Sequence, residues 1–157
     1  ILDIETTGFE PKDSEILEIY ILKVKDYQII DEFYSLFKPN NKIENSHIHG
    51  ITDEKVKNAP IFSDMSQKIT SFVENSILVG HNINHFDLKF LNHYLHEPLK
   101  NKTIDTVNLS RKKLGKIIKN HKLLTIAKYF KVTLPTHSAK DDVMTTFEIY
   151  KKLSSIE

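Results

Sequence analysis

With 157 residues, 39% of them hydrophobic, and a formal net charge of +1, the chain has the apolar content of one folded domain and no charge excess to announce a polyanionic partner. Its lack of cysteine excludes disulfides and thiolate zinc sites, and agrees with a reducing compartment. No apolar stretch is long enough to span a bilayer and no signal peptide is visible, so the expected location is the cytoplasm, away from membranes.

The apolar run Ile1 to Glu5 reads as a strand, so the chain opens inside its first element and is expected to be trimmed or part of something longer. The period of two puts Asp3 and Glu5 on one face, where two carboxylates repel unless a cation lies between them. A turn at Thr6 to Ser14 leads to long strands at Glu15 to Lys25 and Gln28 to Phe37, whose short connections predict three antiparallel strands. Lys38-Pro39-Asn40-Asn41 breaks the pattern, and Thr52 and Ser63 are expected to cap two helices, the second reaching about Asn75. Ile77 to Val79 reads as a short buried strand ending at His81-Asn82.

A helix is expected over Asn84 to His96, with Asp87 on its apolar stripe beside Phe90, Leu91 and Tyr94. A carboxylate there must be protonated, paired with a base such as Lys89, or bound to a metal. A strand at Thr103 to Asp105 follows, its terminal Asp105 suited to cap the next helix. The remaining helices fall at Thr106 to Leu114, Leu123 to Phe130 and Ala139 to Ser154. In the last one Asp141 lines up with Thr145, Glu148 and Lys152 on a polar stripe, whereas Asp142 lies beside Ala139, Val143 and Thr146 on the inward side, which makes Asp142 the candidate acid. His137 would stand about 140° from it on an ideal helix and is therefore expected on the loop after Pro135. Strands separated by helices pair in parallel, so the fold class is α/β: a mixed five-stranded sheet, three antiparallel strands then parallel ones, flanked by helices in a single domain over 1–157.

Four carboxylates offer hard oxygen ligands, which suit Mg²⁺ or Mn²⁺. Pairs of such ions, about 3.5 to 4 Å apart, recur in phosphodiester cleavage. A histidine, ordinarily titrating near 6.5, is suited to take a proton from water at neutral pH, worth roughly 10²- to 10⁴-fold in rate. Arg111, Lys112, Lys113, Lys116, Lys119, Lys122, Lys128 and Lys131 form a basic stretch that either tracks a phosphate backbone or is simply a solvated surface. Phe9, just past Gly8, either stacks on a terminal base or makes an ordinary loop contact.

The motifs Asp3-Ile4-Glu5-Thr6-Thr7-Gly8, Gly80-His81-Asn82 through Phe86-Asp87, and His137 followed by Asp142 resemble the DEDDh branch of the DnaQ-like 3′-to-5′ exonucleases. That family includes the proofreading epsilon subunit of bacterial DNA polymerase III and the exonuclease domain of PolC-type polymerases. Ile48-His49-Gly50-Ile51-Thr52, Ile104-Asp105-Thr106 and Asn120-His121-Lys122-Leu123 match in the same order. One departure is an extra residue between Asn82 and Phe86, where Ile83, Asn84 and His85 stand. The resemblance implies a ribonuclease H-like fold and two divalent ions, Mg²⁺ or Mn²⁺, on Asp3, Glu5, Asp87 and Asp142. It makes His137 the general base, and it places Thr6, Thr7, Gly8, His49 and Asn82 at the substrate. It further implies hydrolysis of single-stranded DNA from its 3′ end to nucleoside 5′-monophosphates, as in replicative proofreading beside a polymerase in a bacterial cytoplasm. A 3′ exoribonuclease acting on RNA is the alternative, and a catalytically silent nucleic-acid-binding module is a third reading.

Overall fold

A computed structural model describes residues 1–157. The central strand β2 (Ile16–Lys25) is buried from Ile16 to Leu22, because it is covered on both faces and flanked on both edges. Antiparallel to it run β1 (Leu2–Thr6) on one edge and β3 (Gln28–Leu36) on the other. Asp26 and Tyr27 link β2 to β3 with φ of 50° and 60°, the positive pair that a two-residue hairpin turn requires. The β1–β2 register slips once, between Glu5 and Thr6, and so bends the chain where it leaves the strand.

Three short helical segments surround the next crossing: α1 (Ser46–His49), α2 (Asp53–Val56) and α3 (Phe62–Val73). Thr52 caps α2 as expected, its hydroxyl accepting from the Lys55 amide at 3.3 Å. Ser63 does not cap α3, which begins at Phe62 after an extended Ile61 because burial of Phe62 in the core fixes the entry. The single turn α1 escapes a reading by periodicity, being too short to show one; Gly50 ends it at φ 71°.

Strand β4 (Leu78–Gly80) pairs in parallel with β5 (Thr103–Asp105). Between them α4 (Asp87–Tyr94) is shorter than the expected Asn84 to His96. Asn82 adopts φ 65° and Asp105 takes the amides of Asn82 and Asn84, which holds Asn82–Phe86 in a turn. The last helices, α5 (Thr106–Leu114), α6 (Leu123–Phe130) and α7 (Ala139–Ser154), have the expected bounds. Asp105 caps α5 by accepting from the Val107 amide at 2.9 Å. The strands form two hydrogen-bonded ladders, β1-β2-β3 and β4-β5, not one continuous five-stranded ladder. Strand β4 lies beside β1, and the Ile4 amide of β1 donates to the Asp87 side chain at 3.2 Å instead of to a neighbouring strand.

Leu2, Ile4, Ile19 and Ile21 pack with Phe62, Ile69, Phe90 and Leu91 of α3 and α4 on one face of the three-stranded sheet. Tyr20 and Leu22 pack with Ala139, Val143 and Phe147 of α7 on the other. Each buried Val, Leu, Ile or Phe among them contributes about 1.5–3 kcal/mol, so the sheet locks both α4 and α7 against β1. A third cluster, Leu114, Ile126, Ala127, Ile149 and Leu153, fastens α5 and α6 to the back of α7. Thr145 belongs to this buried side and not to a polar stripe; it is fully buried and its hydroxyl has no partner. No helix is long and apolar enough to cross a membrane.

Candidate active site

Leu2, Ile4 and Thr6 are buried on one face of β1, and Asp3 and Glu5 stand half-buried on the other, as the strand period dictates. Asp87 opens α4 and is almost fully buried, with Oδ1 3.2 Å from the Ile4 amide, between Asp3 and Glu5 in the chain. Asp142 in the first turn of α7 is buried, whereas Asp141 is exposed. Asp142 Oδ1 accepts from the Thr136 amide at 2.9 Å and the His137 amide at 3.3 Å. These two bonds hold the loop before α7 with His137 at φ 62°, a strained conformation for a residue with a Cβ. Ligand atoms of Glu5, His137 and Asp142 lie within 4.8 Å of one another, with His137 exposed at the rim.

Crowding shows in the protonation of these acids. Burial, then the charges of Asp87, Glu5, Asp142 and Glu18, raise the Asp3 carboxyl well above the usual range. Burial, then Asp142, Glu18 and Asp87, push Glu5 up to about 8. Burial pushes Asp87 up to about 7, although the Ile4 amide works against it. Asp142 is raised by burial and held back by the Thr136 and His137 amides and by the His137 ring. No lysine or arginine pairs with any of the four: the ion pairs of the structure are Lys12 with Asp13, Lys57 with Glu54, and Lys89 with Glu10. Lys89 is thereby committed away from Asp87. Four converging acids with an all-oxygen donor set and no lysine or arginine partner fit hard divalent cations.

Glu5 and Asp87 sit above their ordinary values of 4.5 and 3.8, so the folded chain holds protons that the unfolded chain has released. Their contribution to the stability of the metal-free protein therefore falls as pH rises from about 4 to about 8, then levels off. Thermal melts in EDTA should show a lower Tm at pH 8 than at pH 5.5, and Mg²⁺ should raise Tm more at pH 8. A Tm in EDTA that climbs over this interval would contradict the crowding.

The remaining expected substrate residues surround β1. The Thr6 hydroxyl donates to the Gly8 carbonyl at 2.6 Å and Thr7 Oγ1 accepts from the Glu15 amide at 2.8 Å, so both stiffen the turn after Glu5. A Cβ at Gly8 would collide with the Ser14 hydroxyl, so any side chain there requires Ser14 to shift. Phe9 is 82% exposed and makes no ordinary loop packing. His49 is buried with both ring nitrogens engaged: Nδ1 accepts from the Ile51 amide at 3.1 Å, and Nε2 donates to Asn45 Oδ1 at 3.1 Å. Asn45 Nδ2 in turn donates to the Thr6 carbonyl at 3.0 Å, so His49 reaches the site through that chain of bonds. Asn82 is exposed at the start of the turn that delivers Asp87.

One acid at this site escaped the sequence reading. Glu18 lies opposite Glu5 across the β1–β2 pair and is buried. Its Oε2 accepts from the Ala139 amide, the first of α7, at 3.0 Å, and its Oε1 accepts from the Tyr34 hydroxyl at 3.1 Å. Glu18 thus pins the start of the helix that carries Asp142, and its charge adds to the field on Asp3 and Glu5. The only signal in the sequence is an acid inside an otherwise apolar run, Ile16 to Leu22.

The chain is 35% identical over 159 residues to the PolC-type DNA polymerase III of Caldanaerobacter subterraneus subsp. tengcongensis, which covers 98% of this chain and 11% of that protein. It is 38% identical over 157 residues to the PolC-type DNA polymerase III of Clostridium perfringens, covering 96% and 11%. The chain therefore spans about a tenth of the length of these relatives. Among solved structures, exonuclease X in complex with 5′ overhanging duplex DNA matches with a TM-score of 0.71 at 24% identity, covering 98% of this chain and 90% of that one. E. coli exonuclease I in complex with a dT13 oligonucleotide matches with a TM-score of 0.83 at 17% identity, covering 99% and 40%. These two likenesses establish the fold. The family model RNase_T, described as Exonuclease, matches residues 1–150, and the chain belongs to that exonuclease family.

Proposed function

We propose that this domain is a 3′-to-5′ exonuclease that removes nucleoside 5′-monophosphates from the 3′ end of single-stranded DNA, in the service of replicative proofreading beside a polymerase. The observation that carries this reading is the convergence of Asp3, Glu5, Asp87 and Asp142 with His137 at their rim. The polymerase context is supported by the similarity to PolC-type relatives along nearly the whole of this chain.

Asp3, Glu5, Asp87 and Asp142 would hold two divalent ions, Mg²⁺ or Mn²⁺. Such ions supply neutralisation of the phosphate charge and acidification of the attacking water. The protein's own contribution is geometric and protolytic. Strand β1 and the first turns of α4 and α7 present the four carboxylates as a fixed group, so no reorganisation is needed as charge builds up. His137 accepts the proton of the attacking water at a ring nitrogen and releases it to solvent, since the ring is exposed. The Thr6–Gly8 turn, held by Asn45 and His49, borders the place where the terminal nucleotide would lie.

Degradation of 5′-labelled and 3′-labelled single-stranded DNA and RNA of one sequence, in Mg²⁺, Mn²⁺ or EDTA, tests the reading. Stepwise shortening of 5′-labelled DNA, and immediate release of the label as a mononucleotide from 3′-labelled DNA, both requiring the metal, are the expected results. Preference for RNA would make the domain an exoribonuclease, and no cleavage of either polymer would make it a binding module.

A further inference from the structure

We propose that a cavity of about 440 Å³ bounded by His81, Asn82, Arg111, Asn120, His121 and Lys122 binds a phosphodiester group of the substrate strand, a few nucleotides from the scissile bond. This rests on the exonuclease reading for its substrate. The cavity gathers three segments: the residues after β4, one face of α5, and the turn into α6.

Its chemistry is that of an anion site. No carboxylate lines it, in contrast to the four acids next to β1. Arg111 comes from α5 and Lys122 from the N-cap of α6, so two cations from separate elements border one space. Arg111 is the only arginine in a chain whose other basic positions are all lysine, and its planar fork suits a phosphate bidentately. No side chain caps α6. The Asn120 carboxamide oxygen takes the Lys122 amide at 3.1 Å and the Thr125 hydroxyl at 2.7 Å, and the Leu123 and Leu124 amides have no protein acceptor. Open first-turn amides beside two cations are a setting that favours an oxyanion.

The histidines give the cavity its shape. His121 is anchored through Nδ1, 2.7 Å from Ser110 Oγ, and its Nε2 has no protein partner. His81 Nδ1 lies 2.9 Å from Thr106 Oγ1, and burial holds its pKa down to about 4, so this ring is neutral wall and not charge. Asn82 stands five residues before Asp87, and five residues span at most about 18 Å. A single strand whose 3′ end lies among the carboxylates therefore has the cavity within a few nucleotides of its path.

The test is binding of a fluorescent DNA decamer in EDTA, where nothing turns over, read by anisotropy across a salt titration. Arg111→Ala and Lys122→Ala should each weaken binding roughly tenfold and flatten the salt slope by about 0.7, while Lys57→Ala, whose ammonium pairs with Glu54 and does not line the cavity, should change neither. Replacing single phosphates by neutral methylphosphonates locates the contact. One linkage near the 3′ end should cost the native protein about tenfold and cost Arg111→Ala nothing further. An unchanged methylphosphonate profile in Arg111→Ala, or equal weakening by Lys57→Ala, would overturn the site. Because no hydrolysis is measured, loss of the exonuclease reading in the labelled-strand assay leaves this result separately legible.

Discussion

Asp142→Ala should abolish turnover, lowering kcat/KM by about 10³-fold or more, the equivalent of several kcal/mol of transition-state stabilisation lost with a metal ligand. The side chain does two things at once. It contributes an oxygen to the group formed with Glu5 and His137, and it accepts the amides of Thr136 and His137. Asp142→Asn separates the two, because a carboxamide oxygen still accepts those amides but lacks the charge a divalent ion needs. Asn should therefore be as inactive as Ala while melting higher. Alanine leaves two loop amides without their acceptor, at about 1–3 kcal/mol. Asn also removes an acid that burial already raises. The check is kcat/KM on a DNA decamer together with thermal melts. Equal melting of the two variants would remove Asp142 from its role in holding the loop.

His137→Ala should lower kcat by roughly 10²- to 10⁴-fold while leaving metal binding in place. The ring is exposed and none of its atoms is needed to position the four carboxylates, so its loss subtracts proton transfer and little else. His137→Gly gives a sharper version. Glycine occupies φ 62° without steric cost, so this variant should be at least as stable as the native chain and still lack the rate. A rate loss without a stability loss, read from single-turnover kinetics and melts, is what a strained residue kept for chemistry gives. His137→Ala turning over at the native rate would assign the proton to another acceptor.

The fold and the site differ in how far the sequence exposes them. Periodicity of two on Ile1 to Glu5 is local, and it placed Asp3 and Glu5 on the face where they stand. The choice of Asp142 over Asp141 is likewise local, since inward and outward positions on α7 follow from the spacing of Ala139, Val143 and Phe147. The same spacing misplaced Thr145, because α7 is covered on its outer side by α5 and α6 and has two buried faces where a surface helix has one. Glu18 could not be found this way. Its partner, the Ala139 amide, is 121 residues distant, and only the packing of α7 on the sheet brings them together. The engagement of both His49 nitrogens and the basic cavity depend on similar long-range meetings. The start of α3 departs from the local signal for the opposite reason: Ser63 is a good capping residue by type, but anchoring of Phe62 in the core outweighs a cap worth about 1 kcal/mol.

Counting bound Mn²⁺ by electron paramagnetic resonance, in the native chain and in Asp3→Asn, addresses the carboxylate group directly. Two ions per chain at pH 8, falling to one or none in Asp3→Asn, is the result that four converging acids without a lysine or arginine partner predict. Retention of both ions by the variant, or no binding by the native chain, would contradict it.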